Sequence, residues 1–299
     1  MIKANGLIKK FGHKPVLNGL SCTIPSGCVY GLVGSNGAGK STLLRLLAGV
    51  YKADGGTVEV DGAPVYENPD VKEKCVLVAD ELYFLPQSNM LRMADLYAAA
   101  YPAFDRARFK TLTEAFRLDP KANLSTFSKG MRRQAAIVLS LSCHASYLFI
   151  DEAFDGLDPV MRALVKKAVY ADMAERGATT VITSHSLREL EDTCDQLALL
   201  HQGGILLESE VDNLKTSLFK LQVAFREPFD KTKFSFLAPI DYVQHGSVAT
   251  LVLRGDRAVA TTAMQAMEPI LIEMLPLTLE EVFVHEMHVL GYAFDDVIL

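Results

Sequence analysis

Apolar and polar positions alternate over residues 1 to about 27, on both sides of a Gly-His-Lys-Pro turn at residues 12–15. This alternation predicts a β-hairpin. Short apolar runs then predict buried strands at 28–33, 57–60, 74–79, 147–150 and 178–184. Helical spacing of apolar residues predicts a helical insert that starts near residue 89, and helices that start at residues 128 and 159. Strands that alternate with helices predict an α/β fold with a parallel core sheet.

The pattern changes after a second predicted hairpin, formed by residues 197–200 and 204–208. The segments that follow predict a small α+β domain. They are two alternating strands, a helix, a further strand and a last helix, at 220–226, 248–254, 256–267, 269–274 and 277–287. We therefore predict a first domain at 1–208, with a helical insert at about 88–145, and a small accessory domain at 209–299.

A glycine-rich segment lies between the strand at 28–33 and an apolar helix, and it fits the P-loop pattern G-x-x-x-x-G-K-S/T. Its residues are Gly34, Ser35, Asn36, Gly37, Ala38, Gly39, Lys40, Ser41 and Thr42. Glycines let successive backbone N–H groups turn toward a phosphate, and the following helix directs its positive end to the same place. Lys40 is placed to reach the β- and γ-phosphates, and Ser41 to hold Mg²⁺.

Polar residues follow three of the predicted strands. Asp151 and Glu152 come directly after the strand at 147–150, Asp80 follows the strand at 74–79, and His185 follows the strand at 178–184. In parallel α/β sheets, ligands bind at the carboxyl ends of the strands. Two adjacent acids after a strand can form a simple polar turn, but with a P-loop upstream they favour a metal-contacting acid followed by a water-orienting acid.

The composition changes this picture little. A formal net charge of −6 argues against a broad nucleic-acid-binding face, although Lys129, Arg132 and Arg133 leave room for a local basic patch. Five widely spaced cysteines without a C-x-x-C pair predict buried thiols, not disulfides or a zinc site. The apolar stretch at 135–150 is interrupted by polar residues and falls short of the roughly 20 residues of a membrane span. Nothing near residue 1 resembles a signal peptide, so we expect a cytoplasmic protein.

With these motifs in order, residues 1 to about 208 resemble the ATP-binding subunits of ABC transporters. Residues 34–42 resemble Walker A, and residues 148–151 resemble Walker B. Residues 155–158 resemble the D-loop, and Phe127-Ser-Lys-Gly-Met131 stands in the place of the Leu-Ser-Gly-Gly-Gln signature. The resemblance implies an ABC-type P-loop NTPase fold, with an antiparallel β subdomain and the helical insert beside the parallel sheet.

The resemblance also implies roles for individual residues. Glu152 corresponds to the catalytic glutamate, His185 to the switch histidine, and Asp151 and Asp80 to Mg²⁺ contacts. The residues implied to contact ATP outside the P-loop are Phe11, Ser128, Lys129, Gly130 and Asp158. Position alone leaves Phe11 equally consistent with a base-stacking ring and with a core residue of the hairpin.

The sequence departs from the family pattern at several of these positions. Asp80 stands where the family usually has a glutamine, and Ala153 replaces the usual proline. In the signature, Ser128 and Gly130 are retained, but Lys129 replaces a glycine; Asp155 opens the D-loop where serine is common. Lys129-Gly-Met131 and the segment 277–283 resemble a bacterial branch that includes bacitracin-export and acetoin-utilisation ATPases.

The function implied is ATP hydrolysis that powers an ABC transporter. Two ATPase subunits, either identical or paralogous, would close on ATP and Mg²⁺ and work with a separate membrane permease at the inner face of the cell membrane, without nucleic acid. One alternative is a soluble ABC ATPase that acts on ribosomes or DNA, although such proteins typically carry tandem ATPase domains or a long coiled-coil insert. The other is a nucleotide-binding regulator that does not hydrolyse ATP.

Overall fold

The computed structural model describes residues 1–289 and divides them into two compact units. The first unit is Met1–Glu208, and the second begins at Ser209. The boundary between the units therefore lies near the end of the second hairpin, within its last strand. Within residues 1–289, no helix is both long enough and apolar enough to span a bilayer.

Strands and helices alternate along most of the first unit, as the sequence pattern predicts. Its strands are β1 (Ile2–Phe11), β2 (Lys14–Ile24), β3 (Val29–Val33), β4 (Gly55–Val60), β5 (Ala63–Pro64), β6 (Cys75–Val78), β7 (Tyr147–Ile150), β8 (Thr179–Ser184), β9 (Gln196–His201) and β10 (Gly204–Glu210). Its helices are α1 (Lys40–Leu47), α2 (Pro69–Lys72), α3 (Met90–Ala100), α4 (Arg106–Ala115), α5 (Lys129–Ser142), α6 (Pro159–Arg176) and α7 (Leu187–Glu191).

Two sheets organise the first unit. The first has the order β2-β1-β4-β5 and is antiparallel, and its β1–β2 pair is the predicted N-terminal hairpin. The second has the order β10-β9-β3-β8-β7-β6, and its inner strands run parallel. Helix α1 packs between the two sheets and buries Leu43, Leu44 and Leu47 in their shared core. The predicted α/β fold, with its antiparallel subdomain, is confirmed.

The carboxyl ends of parallel strands meet at one edge of the core sheet. Strands β3, β8, β7 and β6 are consecutive in this sheet, so the P-loop, Asp80, Asp151 and His185 come together although they are far apart in sequence. The sheet topology is therefore what assembles the site.

The helices begin and end where the sequence provides caps. Ser128 accepts a hydrogen bond from the backbone N–H of Met131 and caps α5, at the residue where the sequence predicts that a helix starts. Helix α6 has Pro159 at its first position and ends at Gly177, whose φ of +65° suits a residue without a side chain. The helical insert, predicted to start near residue 89, opens with two helices, because α3 ends at Ala100 and Asp105 caps a new helix, α4.

The second unit is a four-stranded antiparallel sheet with helices. Its elements are α8 (Val211–Ser217), β11 (Leu218–Ala224), β12 (Asp241–His245), β13 (Val248–Arg254), α9 (Arg257–Gln265), β14 (Leu271–Leu275) and α10 (Leu279–Val289). The sheet order is β12-β13-β11-β14, and one face covers a core that includes Phe219, Phe234 and Leu251. The sequence pattern did not predict β12 or α8. Residues 290–299, which belong to the predicted accessory domain, lie outside the described residues.

Candidate nucleotide site

The P-loop connects β3 to α1 and depends on glycine at two tightly packed positions. A Cβ atom at Gly34 would lie 2.3 Å from the backbone oxygen of Leu200. Gly39 adopts a φ of +109°, and a Cβ atom there would lie 2.9 Å from the side chain of Leu17. Side chains at these positions would displace the loop, so these glycines set the shape of a loop that can hold phosphate on backbone N–H groups.

Lys40 projects from the first turn of α1 and is 5% exposed. Its ammonium donates to the backbone oxygen of Gly34 at 2.6 Å and lies 3.5 Å from a carboxylate oxygen of Glu152. A nearly buried cation needs such partners, because burial without them is costly. The amine is therefore held at the place where the P-loop motif positions it for phosphate.

Asp151 is 1% exposed, and its Oδ1 accepts from two hydroxyls. Ser41 Oγ lies 3.1 Å away and Thr183 Oγ1 lies 2.7 Å away. Thr183 also accepts from the backbone N–H of Glu152 at 2.8 Å, so it holds both acids. Sequence reasoning missed Thr183. The sequence marks it only as a polar residue near the end of a buried strand, which is a weak indication of a role in the site.

Glu152 connects the P-loop lysine to the histidine at the end of β8. Its Oε2 lies 2.9 Å from His185 Nδ1, while its Oε1 faces Lys40. Its φ of +47° is in the left-handed region, which is unusual for a residue with a side chain and typical of functional sites. His185 is 56% exposed, so the pair stands at the open side of the site.

Lys40, Ser41, Glu152 and His185 line an open pocket of about 720 Å³. Its described lining residues are Phe11, Lys14, Pro15, Val16, Asn36, Gly37, Gly39, Lys40, Ser41, Thr42, Asp80, Glu152, Asp155, His185, Gln202 and Gly203. Phe11 is 47% exposed and touches Tyr51 edge-on, so it is not a core residue of the hairpin and is available to a ligand. Lys14 and Gln202, which sequence reasoning did not single out, also line this pocket.

Asp80 lines the pocket, but Arg133 already binds its carboxylate. The Arg133 Nη2 donates to Asp80 Oδ1 at 2.8 Å. Arg133 is 1% exposed, so it does not contribute to the local basic patch suggested with Lys129 and Arg132. A contact between Asp80 and Mg²⁺ stays a prediction.

The signature segment borders this pocket through Asp155 but does not line it in the described residues. Ser128, Lys129 and Gly130 are not among the described residues that line it. Lys129 instead pairs with Asp155, and Asp158 caps α6 by accepting from the backbone N–H groups of Val160 and Met161. Hydrogen bonding to Lys129 lowers the pKa of Asp155 below its ordinary value. Contacts of Ser128, Gly130 and Asp158 with ATP stay predictions.

The five cysteines are buried and none forms a disulfide, as predicted. Burial raises the pKa of Cys22, Cys75 and Cys143 to about 12, which keeps them protonated and unreactive.

Known proteins resemble this chain in sequence and fold. A family model described as ABC transporter matches residues 17–155. The daunorubicin/doxorubicin resistance ATP-binding protein DrrA of Streptomyces peucetius is 34% identical over 73% of this chain and 67% of that protein. The Nod factor export ATP-binding protein I of Rhizobium sp. (strain N33) is 36% identical over 68% of each. The chain belongs to the ABC transporter ATP-binding family.

The likeness extends beyond the first unit of this ABC ATPase. The ABC transporter ATP-binding protein YtrB of Bacillus subtilis (strain 168) is 28% identical over 95% of this chain and 97% of that protein. A solved ATP-binding subunit of an ABC transporter matches with a TM-score of 0.66 and 24% identity, over 72% of this chain and 92% of that one. The predicted function, ATP hydrolysis that powers an ABC transporter, is confirmed by the family, and the two alternatives are not favoured.

Proposed function

We propose that this ABC ATPase is the motor of an exporter and that two ATPase subunits close on ATP at composite sites. The observation that carries the proposal is the position of Glu152, whose two carboxylate oxygens face Lys40 and His185 at the phosphate end of the pocket. A carboxylate between a phosphate-binding amine and an exposed imidazole is well placed to act on an attacking water.

In this mechanism Glu152 accepts a proton from the water that attacks the γ-phosphate. General-base help of this kind contributes about 10² to 10⁴ in rate. His185 orients the carboxylate through its 2.9 Å contact and senses the γ-phosphate. When ATP binds, Lys40 leaves Glu152 and contacts the phosphates. The Glu152 carboxylate can then accept the proton of the attacking water.

The residues at the end of β7 fit Mg²⁺. This cation takes oxygen ligands, and the hydroxyl of Ser41 and the carboxylate of Asp151 already lie 3.1 Å apart at the mouth of the P-loop. Ser41 and Asp151 would hold the ion directly or through water. When bound, Mg²⁺ neutralises the charge that develops on the β- and γ-phosphates.

A second subunit supplies the signature segment. The described pocket holds no residue of Ser128–Gly130, yet Ser128 and Gly130 offer a hydroxyl and a backbone N–H at the start of α5. A structure of similar fold, a cassette in a post-hydrolysis state with ADP and Pi, was solved as a dimer; it has a TM-score of 0.65 and 19% identity. This supports an arrangement in which each ATP lies between the P-loop of one subunit and the signature of its partner.

The transport pathway belongs to a separate permease. Within residues 1–289 no helix is suited to span a membrane. The names of DrrA and the Nod factor protein associate those relatives with resistance and export, which supports an exporter that works at the inner face of the membrane.

The test uses Glu152→Gln, which keeps the shape of the side chain and removes the base. We expect ATP binding to persist, phosphate release to fall at least about 100-fold, and ATP to drive a stable dimer seen by light scattering. Glu114→Gln, an exposed change in α4, is the control. Wild-type phosphate release by Glu152→Gln would remove Glu152 from the role of base.

The composite site has its own test in the Glu152→Gln background. Adding Ser128→Arg should abolish the ATP-dependent dimer while ATP binding to the monomer remains. Ser125→Arg, at an exposed serine three residues earlier, should leave the dimer intact. A dimer that survives Ser128→Arg would contradict the contact in trans.

A further inference from the structure

Arg133 is the largest fully buried side chain in the described part of the chain, at 1% exposure. It lies on α5, five residues after Ser128. A buried guanidinium must find hydrogen-bond acceptors and a compensating negative charge, because an unpaired charge inside a protein is strongly destabilising. The partners of Arg133 therefore show what the residue does.

The guanidinium bonds to the carboxyl ends of two neighbouring strands. Its Nη1 donates to the backbone oxygens of Ala79 and Asp151, both at 3.0 Å. Its Nη2 donates to the backbone oxygen of Asp80 at 3.2 Å and to Asp80 Oδ1 at 2.8 Å. Arg133 thus fastens the end of β6 to the end of β7, at the backbone of the Walker B acid.

These contacts also fix one end of α5 against the site. Helix α5 is 14 residues long and begins at the signature segment. A helix transmits a displacement of one turn to the next because its backbone is hydrogen-bonded throughout. The position of Ser128 therefore depends on the same guanidinium that holds Asp151.

The charge of Arg133 explains the acid at position 80. The family pattern has a neutral glutamine there, which cannot balance a buried cation. Asp80 supplies a carboxylate 2.8 Å from the guanidinium while its side chain stays 46% exposed at the pocket. A carboxylate committed to an arginine is a weaker metal ligand, since the cation has taken up part of its charge.

We propose that Asp80 is the counter-ion of Arg133 and not a ligand of Mg²⁺, and that the pair positions the Walker B strand relative to the signature helix. Asp80 and Arg133 are positioning residues, since they act through Asp151 and Ser128. The claim that the pair positions Ser128 rests on the proposed composite site. The claim that Asp80 pairs with Arg133 does not.

The experiment compares Asp80→Gln, Arg133→Gln and the double variant, with Glu81→Gln as the control for loss of a neighbouring exposed acid. Without nucleotide or metal, Asp80→Gln should lower Tm by about 4 to 8 °C because it leaves the guanidinium without its acid. The double variant should regain at least half of that loss, and Glu81→Gln should leave Tm unchanged. If Arg133→Gln does not fold, Arg133→Lys replaces it: this variant keeps the charge, so Asp80→Gln should destabilise it as it does the wild type.

A second measurement titrates Mg²⁺ in the phosphate-release assay. We expect Asp80→Gln to lower kcat at least fivefold, with the Mg²⁺ concentration at half-maximal rate changed less than twofold, and the double variant to recover part of kcat. An unchanged Tm together with a rise in the Mg²⁺ requirement that Arg133→Gln does not rescue would overturn the proposal and make Asp80 a metal ligand. The melting experiment uses the protein without nucleotide or metal, so it decides the pairing even if the composite site proves wrong.

Discussion

Lys129 Nζ lies 2.5 Å from Asp155 Oδ2, so the lysine of the signature segment is paired with the first acid of the D-loop in the same chain. Both residues depart from the family pattern, in which glycine and serine are usual. The two segments are also in backbone contact, because a Cβ atom at Gly130 would lie 2.5 Å from the carbonyl oxygen of Gly156. The pair therefore holds the charge of Lys129 on its own chain.

This pairing predicts a pH dependence. Lys129 keeps the pKa of Asp155 below its ordinary value, so the carboxylate stabilises the folded state above its unfolded pKa, and this stabilisation is lost as the pH falls through the folded pKa. Asp155→Asn should lower the free energy of unfolding at pH 7 by less than about 1 kcal/mol, since the pair is partly exposed.

Urea unfolding at a series of pH values checks this prediction. The difference between wild type and Asp155→Asn should shrink as the pH is lowered below about 4, the ordinary range of an aspartate. It should also shrink in 1 M NaCl, which screens exposed pairs. A difference that grows on acidification would contradict it.

Gly130→Ala should destabilise the folded protein, although alanine favours a helix by about 1 kcal/mol over glycine. The added Cβ meets the backbone of Gly156, which has no flexible side chain that can move away. We expect a loss of about 1 to 3 kcal/mol in the free energy of unfolding, and a larger loss of ATP-dependent dimerisation.

The control for Gly130→Ala is Gly204→Ala, whose Cβ would lie 3.9 Å from the nearest atom outside its neighbours, the backbone oxygen of His201. Chemical denaturation and light scattering with ATP measure both variants. If Gly130→Ala proves as stable as Gly204→Ala, the D-loop does not constrain the signature helix.

Much of this site is predictable because its signals are local. Each of its main motifs lies within a single strand and the turn that follows it: the P-loop, the acids after β7 and the histidine after β8. The spacing of apolar residues in a strand and the residue types of a turn can be read from such a short segment alone. The cap at Ser128 is local in the same sense. These residues also belong to motifs with a fixed order, so the fold and the nucleotide site could be predicted together.

The contacts that complete the site are not local. Arg133 lies on an amphipathic helix where an arginine ordinarily faces solvent, and its burial depends on strand ends more than 15 residues away in sequence. Strand β8 contains other buried threonines, and Thr183 is distinguished from them by its hydrogen bond to Asp151. Such roles are set by tertiary packing, which no periodicity in a single segment encodes. The same packing removes Arg133 from the suggested basic patch.

Phe11→Ala should weaken nucleotide binding with little effect on stability. The ring is 47% exposed beside the pocket, and stacking on a base is worth about 1 to 3 kcal/mol, or roughly 5- to 150-fold in affinity. Tyr83→Ala, which removes a ring that is 77% exposed, is the control. Equilibrium binding of a fluorescent ATP analogue measures both variants, and equal affinities would remove Phe11 from the base site.

Thr183→Val should remove the hydrogen bonds that hold Asp151 and the backbone of Glu152 in place. The Thr183 hydroxyl donates to Asp151 Oδ1 and accepts from the N–H of Glu152, and valine keeps its shape without either bond. A buried carboxylate and a backbone donor then lose a partner, which costs about 1 to 3 kcal/mol of stability. We expect phosphate release to fall at least about tenfold, because the placement of Glu152 depends on its backbone.

Thr180→Val in the same strand is the matched control. Thr180 is fully buried like Thr183, but within residues 1–289 its hydroxyl has no hydrogen-bond partner. Exchanging that hydroxyl for a methyl group should leave stability unchanged or raise it, and phosphate release should stay at the wild-type rate. If both variants lose stability and activity equally, valine disrupts strand β8 at either position. The Thr183 hydroxyl would then have no specific role in holding Asp151 and Glu152. A loss confined to Thr183→Val assigns the support of both acids to that one hydroxyl.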